Sequence, residues 1–265
     1  MSSSSKPLSL PPSVTFSQKG AVGFAALARP DKRNALNLET VDGLHHLFLN
    51  LPETVKAVVL TGEGAHFSAG LDLSEMTEKD ITQGMAHSRH WHRAFHDIEF
   101  GRVPVVSVLH GAVVGGGLEL ACATHVRVAE ASAFYALPEG SRGIFVGGGG
   151  SVRLPRLIGA SRMMEMMLTG RTYGAEEGRM LGFSHYTVPN GEGLAKATQL
   201  AEHIAANAPL TNYAVMHVLP RITDSDPAAG YMMEAMISSI AQSDPHAKAR
   251  LRAFLDKKAG KVEHK

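Results

Sequence analysis

Two short segments hold most of the residues that could do chemistry in this chain. The first is His66-Phe67-Ser68-Ala69-Gly70-Leu71-Asp72, and the second runs from His110-Gly111 through Gly115-Gly116-Gly117 to Leu118-Glu119-Leu120. Each follows a β-branched run, Val55 to Leu60 and Val103 to Val108. Each therefore lies outside the C-terminal end of a buried strand, where open α/β sheets place their ligands. Small residues at such turns let a ligand approach the backbone closely. The triple-glycine turn also opens a helix, whose free N–H groups and dipole favour developing negative charge. Two converging backbone donors there could hold the oxygen of a carbonyl that passes through an enolate, with no titratable side chain involved. On spacing alone, tight helix–strand packing explains three glycines equally well.

Glu119 lies one helical turn beyond Gly116, on the face that carries the turn's amide. Inside the apolar helix Leu118-Leu120-Ala121-Cys122-Ala123 a glutamate is costly unless it is paired or used. Glu139 follows twenty residues later in Ala136-Leu137-Pro138-Glu139-Gly140, again among apolar neighbours. Two carboxyls sharing one apolar pocket acquire separated pKa values, which allows one acid and one base. A buried ion pair with Arg127, Arg142 or Arg153 is the structural alternative, and spacing by itself favours it. A P-loop is excluded, because neither glycine run is followed by Lys-Ser or Lys-Thr. The spacing of a dinucleotide fingerprint is also missing.

The elements that must position these residues follow from periodicity. Val14 to Phe16 and Ala21 to Leu27 read as strands meeting near Lys19-Gly20. A helix is expected from Leu38 to Leu49 with Asn37 as N-cap, then a strand at Val55 to Leu60 and a long polar helix through Arg93 and Phe95. A strand at Val103 to Val108, a helix at Leu118 to Ala123 and a strand at Val126 to Val128 complete an α/β pattern with largely parallel pairing. From Gly159 onward helical spacing dominates, over Ser161 to Thr169, Leu194 to Asn207, Leu210 to Leu219, Ala228 to Gln242 and Ala247 to Lys258. Breaks fall at Pro209, Pro220, Pro227 and Pro245. The expected organisation is a disordered Ser/Pro-rich tail at 1–13, a core at 14–205 holding the site, and a helical region at 206–265.

Composition narrows the class. With 44% hydrophobic and 19% charged residues and a formal net charge of +1, the chain has no global field for nucleic acid or membrane. Its one cysteine, Cys122, suits a reducing compartment, and a cytoplasmic location is expected. The N-terminal stretch lacks the apolar region of a secretory signal. The apolar stretch 103–123 contains Ser107, His110, Glu119 and four glycines, which fits a strand–turn–helix better than a membrane span.

The motifs Arg29-Pro30-Asp31-Lys32-Arg33-Asn34-Ala35-Leu36, Ser68-Ala69-Gly70-Leu71-Asp72, Gly115 to Leu120, Pro138-Glu139 and Arg153-Leu154-Pro155-Arg156-Leu157-Ile158-Gly159 occur in this order. Together they resemble the crotonase (enoyl-CoA hydratase/isomerase) superfamily over nearly the whole chain. The resemblance implies a spiral of ββα units with C-terminal helices that build a homo-oligomer, a trimer or a hexamer made of two trimers. It implies an oxyanion hole from the N–H groups of Ala69 and Gly116, and it matches Gly147 to a glycine beside the catalytic water. Glu119 and Glu139 fall where hydratases of the family keep both acids. Arg29, Lys32, Phe67, Ser68, Gly70, Leu71, Asp72 and Gly115 are matched to substrate binding. Phe254 and Lys257 are matched to a pair that contacts the CoA of a neighbouring subunit. The expected reaction is hydration of an α,β-unsaturated acyl-CoA, with no cofactor beyond the thioester substrate itself and no metal. Departures at His110, His125, Val146 and Ser151-Val152 bear on the acyl group. Double-bond isomerisation, or hydration or hydrolysis of a small β-substituted enoyl-CoA, are the alternatives within the family.

Other signals are weaker. His87, His90, His92 and His96 crowd one helix; no HExxH pattern or nearby thiol supports a metal site, and a solvated face lining the pocket mouth is the reading that fits. The basic tail from His246 to Lys265 could meet RNA phosphates, which would suit an RNA-binding or scaffold protein with a vestigial site. With no RNA module and both glutamates kept, CoA phosphates are the simpler partner. Met163, Met164, Met166 and Met167 suit a core or a subunit interface.

Overall fold

The computed structural model describes residues 8–75, 78 and 80–256, and the chain divides into two compact units between Ala205 and Ala206. The first unit opens with β1 (Val14–Lys19) and β2 (Val22–Leu27), an antiparallel pair that turns at Gly20 (φ 60°). Then come α1 (Leu38–Leu49), β3 (Ala57–Gly62), α2 (Ile81–Glu99), β4 (Val105–Leu109), β5 (Ala112–Val114) and α3 (Gly116–Cys122). They are followed by β6 (Val126–Glu130), β7 (Phe134–Ala136), α4 (Gly150–Ile158), α5 (Ala160–Thr169), β8 (Tyr173–Gly174), α6 (Ala175–Leu181), β9 (Tyr186–Val188) and α7 (Gly193–Ala205). The main sheet runs β1-β2-β3-β4-β6-β9 and is parallel after its first pair; β5-β7-β8 form a second, smaller sheet. The runs β4-β5-α3 and β6-β7-α4 repeat one strand–strand–helix unit, with the first strand in the large sheet and the second in the small one.

The valine-rich strands are buried on both faces, as parallel strands covered on two sides must be. Val58, Leu60 and Val105 face the larger core with Leu44, Leu47, Phe95 and Ile98. Val59, Val106 and Val108 face a smaller core closed by Ala197 and Ala201 of α7. Local signals set the helix ends. Asn37 accepts a hydrogen bond from the Thr40 N–H at 3.0 Å and caps α1. Asp80 and Gln83 form a reciprocal capping box at the start of α2. Buried Trp91, Ala94, Phe95 and Ile98 anchor the C-terminal half of α2, whereas Ile81 and Met85 in its first turns are exposed.

Order begins earlier than the composition of the N-terminal stretch suggests. Leu8 and Leu10 pack on the core, Ser13 is buried, and its carbonyl accepts the Ala28 N–H at 2.8 Å. A Cβ on Gly43 would touch Pro11 at 2.6 Å, so α1 is built against this segment. Apolar Leu8 and Leu10 outweigh the serines around them; residues 1–7 of the expected tail lie outside the described residues.

The second unit contains α8 (Pro209–His217), α9 (Leu219–Thr223), α10 (Pro227–Ser243) and α11 (Pro245–Leu255). The single helix expected over Leu210 to Leu219 is broken at Val218, because Pro220 starts a new helix near its first turn. Asp226 and Asp244 cap α10 and α11. No helix among the described residues is long and apolar enough to cross a membrane.

Candidate active site

One cavity of about 300 Å³ in the first unit gathers the chemistry. Its wall includes Ala69, Leu71, Trp91, Gly115, Gly116, Glu119, Glu139 and the loop 144–148. The strand ends of β3 and β4–β5 bring the two glycine turns together. Ser68 and Val113 form a parallel bridge, and a Cβ on Gly70 would meet the Val114 carbonyl oxygen at 2.5 Å and the Gly116 nitrogen at 3.1 Å. Gly70 (φ 89°) is thus required both by its left-handed backbone and by this close approach.

The amides at these turns are not equivalent. Ala69 N–H donates to the Arg33 carbonyl at 2.9 Å and is already committed. Leu36 N–H donates to the Gly70 carbonyl and Asp72 N–H to the Leu36 carbonyl, which leaves Leu71 N–H between them with no acceptor among the described residues. Gly116, the first residue of α3, also has no intrahelical acceptor for its N–H. A Cβ on Gly116 would lie 3.4 Å from the Leu71 nitrogen, so these two amides are neighbours. The amide free to donate here is therefore that of Leu71, two residues beyond the expected Ala69. The physical reason is the parallel bridge at Leu36–Leu71, which uses alternate peptide groups and turns the remaining N–H away.

Both carboxyls are buried at the cavity. Glu119 Oε1 accepts N–H bonds from Gly148 and Gly150, each at 2.8 Å. Burial pushes the Glu119 carboxyl up, while those amides, the Arg153 charge and the Gly147 amide pull the other way. Glu139 is also pushed up, first by burial and further by the charge of Glu119; its own amide and Arg142 oppose the rise. Its Oε2 is buried with no hydrogen-bond partner among the described residues. Neither glutamate is in an ion pair among those residues. Arg153 pairs with Glu99 at 2.6 Å, and buried Arg127 donates to the Phe183 and Thr124 carbonyls, each at 2.7 Å. The structural alternative for the two glutamates is thereby removed.

The other expected residues divide. Gly115 (φ 52°) faces Glu139, whose Oε1 would lie 2.6 Å from a Cβ there, and Gly147 lines the cavity. Leu71 lines it too. Phe67 and Ser68 are wholly buried, and Ser68 donates to the Asn34 carbonyl, so their side chains brace the turn. Arg29 and Asp72 pair with each other at 2.8 Å, outside the cavity wall. Lys32 is exposed and lies outside that wall as well. The Arg29–Asp72 pair belongs to the motif because it fixes the loop. Phe254 is exposed on α11 in the second unit, and Lys257 lies outside the described residues.

Three features of the site escaped the sequence reading. The glycine run 147–150 is an amide cradle for Glu119: a Cβ on Gly150 would come within 2.7 Å of Glu119 Cγ. Trp91 underlies the Leu71 and Gly116 amides, its ring carbon Cζ3 lying 2.8 Å from a Cβ built on Gly116. Gly84, His87 and Ser88, on the same face of α2 as Trp91, also line the cavity. The four consecutive glycines were a visible signal for the first and the histidine-rich face of α2 a partial one for the last, through His87; nothing local marked Trp91. Of the departures, His125 replaces an acid and serves as a staple: its Nδ1 accepts the Val105 N–H, and its Nε2 lies 2.9 Å from the Glu99 carbonyl. In the histidine cluster, His90 meets Asp42 at 2.7 Å and ties α2 to α1. No group of three or more potential ligands converges among the described residues.

A spiral of strand–strand–helix units that joins paired backbone donors to paired buried carboxyls is a crotonase fold. Residues 17–265 match the enoyl-CoA hydratase/isomerase family, and the chain belongs to that family. It is 32% identical over 200 residues to a short-chain-enoyl-CoA hydratase of Clostridium acetobutylicum, covering 74% of this chain and 77% of that one. A crystal structure from Rhodopseudomonas palustris, of a protein provisionally described as an enoyl-CoA hydratase, is 56% identical with a TM-score of 0.92, covering 94% and 97% of the two chains. An enoyl-CoA hydratase from Bacillus anthracis is 29% identical with a TM-score of 0.86, covering 92% and 96%.

Proposed function

We propose that the protein hydrates the C2=C3 double bond of an α,β-unsaturated acyl-CoA. The observation that carries this reading is the pairing of Glu119 and Glu139, both buried and free of ion pairs among the described residues, beside the unpaired amides of Leu71 and Gly116. The thioester oxygen accepts from Leu71 and Gly116 N–H and takes up the negative charge as the π electrons move. An oxyanion donor of this kind contributes roughly 3–4 kcal/mol in the transition state. The surroundings of the two carboxyls divide the labour. Amides donated to Glu119 favour its ionised form, so it takes the proton of the water that attacks C3. Glu139 has no donor on Oε2 and faces a neighbouring negative charge, so it holds a proton and delivers it to C2. A proton-transfer pair typically contributes 10²–10⁴-fold in rate. No step needs a metal or a further cofactor.

Exposed Tyr231, Met232, Met236 and Ile240 on α10, with Leu251, Phe254 and Leu255 on α11, support a homo-oligomer, trimer or hexamer, as part of the same reading. The test is direct. Crotonyl-CoA should lose its conjugated absorbance and yield the 3-hydroxyacyl thioester by mass spectrometry. Double-bond migration in a β,γ-enoyl-CoA, with no water added to crotonyl-CoA, would replace hydration by isomerisation.

A further inference from the structure

Gly84 sits inside α2, where glycine costs roughly 0.5–1 kcal/mol relative to alanine. Neither backbone nor packing demands it: among the described residues nothing lies within 4 Å of a Cβ built there, and its φ is not in the left-handed region. Yet Gly84 lines the cavity, along with His87, Ser88 and Trp91 on the same face of α2. Among the described residues, the missing side chain therefore leaves open space in the wall of the site and not in the core.

The two ends of this face differ. At Trp91 the cavity is closed: the indole is buried, with ring carbons close to Gly116 and Gly148, and it stands edge-on to Phe95 at 5.5 Å. Seven residues back along the helix, about 10 Å at ~1.5 Å per residue, Gly84 lies at the open end. There Leu73 and Phe145 line the mouth and are half or more exposed. Outside the cavity wall, Ile81 lies one turn before Gly84 and Met85 beside it, at 84% and 60% exposure. Ile81, Gly84, Met85 and Ser88 follow the i, i+3, i+4, i+7 spacing of one helix face. An apolar rim thus continues the cavity outward from its reactive end.

We infer that Gly84 is a specificity-determining position. It gives a medium-chain acyl tail passage out of the cavity, and Leu73, Ile81, Met85 and Phe145 receive the tail. The acyl thioester reading of the site underlies this inference, whose new content is the length and course of the acyl group. Continuity with the cavity selects the occupant: the reactive carbons are held at Leu71 and Gly116, Trp91 blocks one direction, and the gap at Gly84 opens the other. Each methylene buried on the rim tightens binding by about fourfold at most.

The test separates recognition from chemistry by using saturated thioesters that cannot be hydrated. Calorimetric affinities of butyryl-CoA and octanoyl-CoA are compared in the wild-type protein and in Gly84→Leu. Leucine is a better helix former than glycine, so this variant should fold. Octanoyl-CoA should bind wild type at least about tenfold more tightly than butyryl-CoA, and in Gly84→Leu this ratio should fall below about threefold. Ile81→Ser should lower the ratio by a smaller step. Equal affinity of wild type for both thioesters would overturn the inference, as would Gly84→Leu weakening both to the same extent, which would place Gly84 on the path of the CoA moiety. Tight, length-dependent binding with no hydration of octenoyl-CoA would instead sink the hydratase reading and leave the acyl groove standing.

Discussion

Replacing Glu119 by glutamine separates catalysis from stability. In the native protein one oxygen of Glu119 accepts two N–H bonds at 2.8 Å from Gly148 and Gly150. In Glu119→Gln the side-chain amide oxygen can accept the same two bonds, so the cradle survives while proton transfer is lost. Hydration of crotonyl-CoA should fall by about 10²–10⁴-fold in kcat, a barrier increase of about 3–5 kcal/mol. Binding of butyryl-CoA should change little. Stability should move the other way. Burial raises the Glu119 pKa above its usual 4.5, so over the range just above that value the native state holds more protons than the unfolded chain. Wild-type stability therefore declines as pH rises through that window, and the glutamine variant has no such decline. Thermal unfolding should show Glu119→Gln at least as stable as wild type at about pH 8, with any advantage vanishing below about pH 4.5. Turnover within about tenfold of wild type would refute the role of Glu119 as base. A variant clearly less stable at that higher pH would refute the account in which burial outweighs the two amides.

Three other outcomes follow from the same structure. Gly116→Ala should cost about 10²–10³-fold in kcat, because its Cβ would press on Trp91 at 2.8 Å beside the Leu71 amide; steady-state kinetics on a variant with wild-type circular dichroism checks it. Arg127→Met should destabilise the fold by about 2–3 kcal/mol, since two buried carbonyls lose a charged donor; an unchanged urea midpoint would contradict this. His185 is held neutral, its pKa depressed to about 4 by burial and by Arg127. The native state then binds fewer protons than the unfolded chain between about pH 4 and 6.5, and stability falls as pH drops through that range. His185→Asn should flatten that slope in acid titrations followed by fluorescence.

Local sequence determined a good deal of this protein. Asn37 capping a helix at Leu38–Leu49 needs only neighbours within one turn, and that helix has the expected bounds. The valine runs had to be buried strands, and a helix had to follow the glycine turn, because β-branched runs and glycine turns act over a few residues; the helix expected from Leu118 starts two residues earlier, at Gly116. Glu119 and Glu139 stood out because carboxyls in apolar segments need a reason to be there. What periodicity left open was which of several equivalent-looking groups would be free. Ala69 and Leu71 both flank Gly70, and only the bridge to Leu36 and the bond to the Arg33 carbonyl, over thirty residues away in the chain, commit one amide and release the other. Spacing favoured an ion pair with Arg127, Arg142 or Arg153; the fold instead gives Arg153 to Glu99 and surrounds Glu119 with amides from about thirty residues on. Hydrogen bonds and ion pairs of that span are selected by packing the whole core, and a window of local sequence holds no information about the competition. The site's residue types were written in the chain, and tertiary structure decided which of their atoms are unsatisfied and so available to a substrate.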